Sequence, residues 1–365
     1  MAIKEYPFYL KSTIILFGLI LVVYVFAQLA DILVPLAFAA FLAILLNPLS
    51  NRFEKLGVPK IFSILLAILI AALAVAGVLY FLSTQIAQFS ESLPMLKEKF
   101  GLITNDLKQW VASTFNMPIS KQDKMIKDAV DTMPAMLGKT LGGLLGVLAI
   151  VFLLPVYIFL MLYYKTLILN FLYEVFAEEN SKQVGEVLKE TKTAIQSYIV
   201  GLLIEMIIVA AMNSTALILL GVKYGLLIGV IGAILNLIPY LGGIVAIALP
   251  VIMATVTKDG YTTQLAVIGA YAVIQFIDNN ILVPRIVSSK VQINALISII
   301  IVLLGNALWG VAGMFLSIPF VAVLKIIFDH IDTLKPWGKL LGDTIPTKHR
   351  GQLWSRRRKE AVGVK

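Results

Sequence analysis

"GLLIGVIGAILNLIPYLGGIVAIALPVIMATV" occupies residues 225–256, 32 residues without one charged side chain. One helix of that length would run about 48 Å, too long for a hydrocarbon layer of about 30 Å, and two full spans need about 40 residues. Its middle carries Asn236, Pro239, Tyr240, Gly242 and Gly243. Pro removes a backbone donor and Gly relaxes the chain, so the helix should break there. The economical reading is two short helices meeting at a bend deep in the membrane. Non-helical backbone at that depth survives only against protein or a water-filled cavity.

The rest of the chain fits a bilayer protein. Of 365 residues, 59% are hydrophobic and 14% charged, against about 45–50% and about 25% in soluble chains. Apolar runs at 12–29, 32–49, 61–84, 141–164, 199–220 and 261–283 read as six full spans. The first leads straight into the second, so it reads as a retained span, and the two as a tight helical hairpin. Arg52, Lys55 and Lys60 make the 50–60 loop positive, which puts it and both termini in the cytoplasm.

The segment 85–140 breaks the apolar pattern, with seven Lys and six acids. Leu93, Leu96, Phe100, Ile103, Leu107 and Trp110 recur at helical spacing, which predicts an extracytoplasmic amphipathic region lying on the membrane or on a neighbouring subunit. The units are then 1–84, three N-terminal spans; 85–140; 141–198, a fourth span with a Gly142-xxx-Gly146 motif and a cytoplasmic helix; 199–330, the core; and 331–365, a basic tail. The tail holds nine Lys/Arg against three acids and suits anionic lipid.

A second broken run, 291–328, is interrupted by "GNALWGVAG" at 305–313. Aligning "YLGGIVAIALPV" (240–251) with "WGVAGMFLSIPF" (309–320) pairs Tyr240 with Trp309 and Pro250 with Pro319. Counting spans makes the first hairpin dip from outside and the second from inside. A helix plus a hairpin, twice and inverted, is how many secondary transporters build a midplane site. The fold class is therefore all-α and polytopic, with about six full spans and two re-entrant hairpins in an inverted repeat.

Between the hairpins lies "IQFIDNNILVPRI", 274–286. Gln275, Asp278 and Asn279 share one face of an ideal helix, with Arg285 two turns on. An intramembrane acid facing a cavity is a candidate ion ligand, proton carrier or solute hydrogen-bonder. The plainer reading has Asp278 neutralise Arg285 while Asn279 and Asn280 glue helices together. Glu205 in the fifth span is a second candidate acid, balanced by an interfacial reading. Asn236, Pro239, Tyr240, Gly242, Gly243 and Asn306 complete the candidate solute- or ion-binding set.

Other classes fall away. The chain has no Cys and two His, His330 and His349, with no Ser/His/Asp set, zinc spacing, dinucleotide fingerprint or Walker loop. No enzyme activity, metal or cofactor is expected, and nothing resembles a soluble nucleic-acid-binding domain. A scaffold or passive channel needs no buried acid and no paired broken helices, so transport is the stronger reading.

"LNLIPYLGG", "QFIDNNILVPRIV" and "GVAGMFLSIPFVAVL" together resemble the autoinducer-2 exporter (AI-2E) family of bacterial membrane proteins, over about 12–330. This chain departs from the family pattern at Ser288, often Gly, and at Asn294–Ala295, often His-Pro. The resemblance implies a homo-oligomeric inner-membrane secondary transporter, with a pentamer as one assembly. It implies export of a small polar solute such as autoinducer-2 or, alternatively, sodium or lithium/proton antiport.

Overall fold

The computed structural model describes residues 7–91, 93–124, 153–176, 181–238, 242–258, 260–287 and 293–343. They form α1 (Phe8–Gln28), α2 (Ala30–Lys55), α3 (Lys60–Glu91), α4 (Leu93–Phe115), α5 (Leu153–Tyr163), α6 (Lys165–Phe176), α7 (Ser181–Leu219), α8 (Gly225–Asn236), α9 (Gly242–Thr257) and α10 (Thr262–Ile277). A π-helical segment (Asp278–Val287) extends α10, and α11 (Ala295–His330) and α12 (Lys335–Leu341) follow. No strand occurs among the described residues. Six helices are long and apolar enough to cross a membrane, and α5 and α6 form a further pair bent by 62°. The protein is a polytopic, all-helical membrane protein. The Gly142-xxx-Gly146 motif, Pro239, Tyr240, Ser288 and the tail beyond 343 lie outside the described residues.

The first break falls where the glycines put it. α8 stops at Asn236, α9 starts at Gly242, and the legs fold back on each other. A Cβ on Gly232 of α8 would sit 3.4 Å from Cβ of Ala246 on α9. A Cβ on Gly242 would fall inside the Leu235–Asn236 backbone, so only glycine permits this closure.

The second break is hidden inside α11. Trp309 (φ −134°, ψ 20°) and Gly310 (φ 60°, ψ −142°) leave helical space, and the positive φ suits glycine. The chain reverses there. Ser317 Oγ lies 2.9 Å from the Ile301 carbonyl, and Gly305 packs backbone to backbone on Gly313. Both pairs are centred on residue 309, so α11 is a hairpin and not one 36-residue span. Pro250 and Pro319 are both fully buried in the second legs, at matching places after the two tips.

Each hairpin follows a long helix, and those helices run antiparallel. Glu205 of α7 acts on Asp278 beyond α10, while Leu217 shares a core cluster with Val267. α8 packs tightly on α7, because Gly225 and Gly229 let its backbone rest against Leu217 and Ser214. A second cluster joins Phe41 of α2 to Ile195, Tyr198 and Ile199 of α7 and to Leu316 of α11.

Two differences from the sequence reading concern long helices. α1 and α2 do not form a tight hairpin. Leu29 alone joins them at φ −95° and ψ 17°, and helical bonds continue through it, Leu29 N–H to Val25 O and Leu33 N–H to Leu29 O, both 2.9 Å. One near-helical residue bends a helix but cannot reverse it. Every described side chain of α1 is exposed. Further on, the cytoplasmic helix and fifth span merge from residue 181 as the 39-residue α7, which at 1.5 Å per residue exceeds the hydrocarbon by nearly twofold. The α5–α6 bend is tied down by Lys60 Nζ, donating to Tyr163 O at 2.8 Å, and by Lys165 Nζ, donating to Asn47 and Asn51 Oδ1 at 2.9 and 3.2 Å.

Candidate functional site

The site forms where the first hairpin turns. Asn236, the last residue of α8, donates from Nδ2 to Asp278 Oδ2 at 2.9 Å. Asp278 is 2% exposed and begins the π-helical segment. Glu205 of α7, 5% exposed, brings its carboxyl against that of Asp278. The contact is a hydrogen bond only when one of the two carries a proton; otherwise Asp278 Oδ1 is buried with no donor. No Lys or Arg among the described residues acts on either carboxyl. Two acids from separate helices and one amide thus meet away from lipid, with no basic side chain to neutralise them.

The wide helical turn separates Arg285 from Asp278. Pro284 has no N–H, and in a regular α-helix its ring would strike the carbonyl four residues back. The segment instead takes the i→i+5 pattern from Asp278 to Val287. The wider turn carries Arg285 off the face of Asp278. Arg285 is exposed and in no ion pair among the described residues, so it does not neutralise Asp278.

The remaining sequence candidates divide. Gln275 is half-buried, and a Cβ on Gly243 would lie 3.1 Å from its Oε1, so it faces the first tip. Its Nε2 also donates to Asn279 Oδ1 at 3.3 Å. Asn279 and Asn280 are exposed, and Asn280 Nδ2 donates to Phe276 O at 2.8 Å, a structural bond within its own helix. Asn306 is exposed on the first leg of the second hairpin. Asn294, where the family pattern often has His, caps α11 by accepting from Ile297 N–H at 3.0 Å. Its Nδ2 donates to Leu340 O at 2.7 Å and Gly342 O at 3.1 Å, stapling α12 to the start of the hairpin.

Sequence reasoning did not single out Tyr271 and Gln264. They are 3% and 7% exposed, on the face of α10 that also carries Asp278. The signal was their spacing: Gln264, Tyr271 and Asp278 are each seven apart, two helical turns.

The chain resembles proteins of one kind. The model of the AI-2E family transporter matches residues 14–333. A putative transport protein YrrI of Bacillus subtilis is 26% identical over 310 residues, covering 82% of this chain and 86% of the relative. The AI-2 transport protein TqsA of Escherichia coli is 24% identical over 323 residues, covering 88% and 92%. A putative permease PerM of Escherichia coli is 27% identical over 312 residues, covering 82% and 87%. With a family match across most of its length, this chain belongs to the AI-2E family of transporters.

Proposed function

We propose that the protein is a proton-coupled secondary transporter that exports a small polar solute across a bacterial inner membrane. The observation that carries this reading is the buried Glu205–Asp278 pair at the turn of a broken helix, without a basic partner. Two negative charges side by side in a low-dielectric site repel strongly, so a proton or a cation must accompany them. Loading and unloading that ion changes whether Asp278 can hold Asn236, and Asn236 ends one leg of the hairpin. Ion binding is thereby linked to the position of the tip, which is what coupling requires. A scaffold or passive channel gains nothing from such a pair. The solute is read as autoinducer-2-like because the relative TqsA is an AI-2 transport protein. The assembly is read as a homo-oligomer with the 50–60 loop and the C-terminal tail in the cytoplasm and with 85–140 outside; the N-terminus does not share that face, because α1 and α2 do not reverse at Leu29.

A second reading, sodium or lithium/proton antiport, has its own support. Glu205, Asp278 and the carbonyl of Asn236 are hard oxygen donors of the kind that hold small cations.

The test is flux in proteoliposomes with and without a proton gradient. Asp278→Asn and Glu205→Gln should each lower coupled flux at least tenfold with insertion unchanged, while Arg285→Gln retains it. Normal coupled flux in Asp278→Asn would sink the reading. Proton release driven by sodium or lithium alone, with no solute present, selects the antiporter.

A further inference from the structure

We infer that a water-bridged file of buried polar side chains runs along the α7–α10 seam and connects the carboxyl pair to the membrane face at the start of α10, beside Tyr261, as the proton path. The inference rests on the proposed proton coupling and adds the route. Among the described residues, the buried side-chain N and O atoms without a hydrogen-bond partner are Asn213 Oδ1, Gln264 Oε1, Tyr271 Oη and Asp278 Oδ1. All four belong to α7 or to α10 and its extension. Asp278 Oδ1 is met by Glu205 when one of the pair carries a proton; buried polar atoms are nearly always paired, so the other three, on two facing elements, still call for a common partner.

Their order is that of a path. Gln264, Tyr271 and Asp278 lie along one face of α10 at steps of about 10 Å, and all are at least nine-tenths buried. Asn213, 2% exposed, stands eight residues beyond Glu205 on the antiparallel α7, level with Tyr271. Its Nδ2 is 3.5 Å from where a Cβ on Gly232 would sit, the point that Ala246 also approaches, and Ala246 clusters with Tyr271. Asn213 and Tyr271 therefore flank the middle of the file. Steps of about 10 Å exceed any direct hydrogen bond, but two or three waters bridge each.

The proton balance is simple. A proton enters as hydronium near Gln264 and moves by exchange of O–H bonds along water and the Tyr271 hydroxyl, each oxygen accepting one proton and releasing another. It ends on a carboxylate of the pair, and no covalent bond other than O–H changes. Gln264 and Asn213 hold waters and do not titrate.

The chain has no cysteine, so accessibility can be read at single introduced thiols. Gln264→Cys, Tyr271→Cys and Asn213→Cys are made in the full chain, checked by gel filtration, reconstituted, and treated with a charged methanethiosulfonate from each side. Val273→Cys, on the exposed apolar side of α10 and 60% exposed, is the control off the file. The expected result is labelling of Gln264→Cys and of at least one of Tyr271→Cys and Asn213→Cys ten times faster than the control, from the face at which α10 starts. If Tyr271→Cys and Asn213→Cys both react no faster than Val273→Cys, the seam is dry and the file is rejected, even if Asp278→Asn abolishes flux. Labelling from the opposite face alone rejects it too. As a readout that labelling does not touch, Tyr271→Phe should slow proton uptake after a pH jump at least threefold, and uptake at the normal rate would remove Tyr271 from the path.

Discussion

The closure of the first hairpin makes the sharpest demand on one atom. Replacing Gly242 by Ala would set a Cβ 2.5 Å from Cα of Asn236 and 2.6 Å from the Leu235 carbonyl carbon, where ordinary contact begins near 3.4 Å. Both are backbone atoms, and the Leu235 carbonyl oxygen lies closer still, so one leg must retreat by at least about 0.9 Å. That movement would stretch the 2.9 Å bond from Asn236 to Asp278 beyond hydrogen-bonding reach. Overpacking costs about 1–3 kcal/mol, and a lost bond to a carboxylate about 1.5–3 kcal/mol. The overpacking lowers stability, and the lost bond alone should lower coupled flux roughly tenfold to a hundredfold. Gly243→Ala is the matched control: its Cβ would meet only the mobile end of Gln275, at 3.1 Å, and flux should fall less than about threefold. The assay compares initial solute uptake, normalised to inserted protein, in the two variants. Equal flux in both would refute the reasoning, because it would mean that the Asn236–Gly242 closure does not position the site.

Other expectations follow from single contacts. Ser317→Ala removes the hydroxyl that lies 2.6 Å from Gly313 O and 2.9 Å from Ile301 O, and should cost about 1 kcal/mol, a melting shift of about 1–2 °C by intrinsic fluorescence. Gly313→Val should be far worse, since its side chain would enter the Gly305 carbonyl, and yield of monodisperse protein is the measure. Asn294→Ala should expose α12 to limited proteolysis, whereas Asn294→Asp keeps the cap at Ile297, worth about 1 kcal/mol, yet still frees α12 because it cannot donate to Leu340 and Gly342. In intact cells an impermeant thiol reagent should reach Tyr261→Cys but not Leu56→Cys, and the opposite result would invert the proposed orientation.

Much of the fold was legible because membrane chemistry leaves few choices. A break at Pro239–Gly243 and another near Trp309–Gly310 follow from run length and glycine alone. The burial of Asp278 followed from its apolar setting. Its partners did not. Glu205 is 73 residues away in the sequence, and only the antiparallel register of α7 and α10 brings the two together. Arg285 looked like the natural counter-ion because seven residues bring an ideal α-helix back to the same face. Pro284 forces a wider turn, and the face rotates away. The α1–α2 junction misled for a related reason: two adjacent apolar runs read alike whether the joint bends or reverses.

The two hairpins match in backbone more than in chemistry. At the first tip, Asn236 bonds Asp278 and Gly243 rests on Gln275, both partners lying on α10 or its extension. At the second tip, Trp309 Nε1 donates to Phe26 O of α1 at 3.0 Å, and its ring packs on Phe26 and Phe320 at 6.3 and 6.2 Å. Withdrawing the second tip therefore means stripping an aromatic contact from a helix outside the repeat. Withdrawing the first means giving up one hydrogen bond to Asp278, whose strength, on the proposed coupling, would change with the ion held by the pair. Under that proposal, the first hairpin is the one of the two whose position an ion would set.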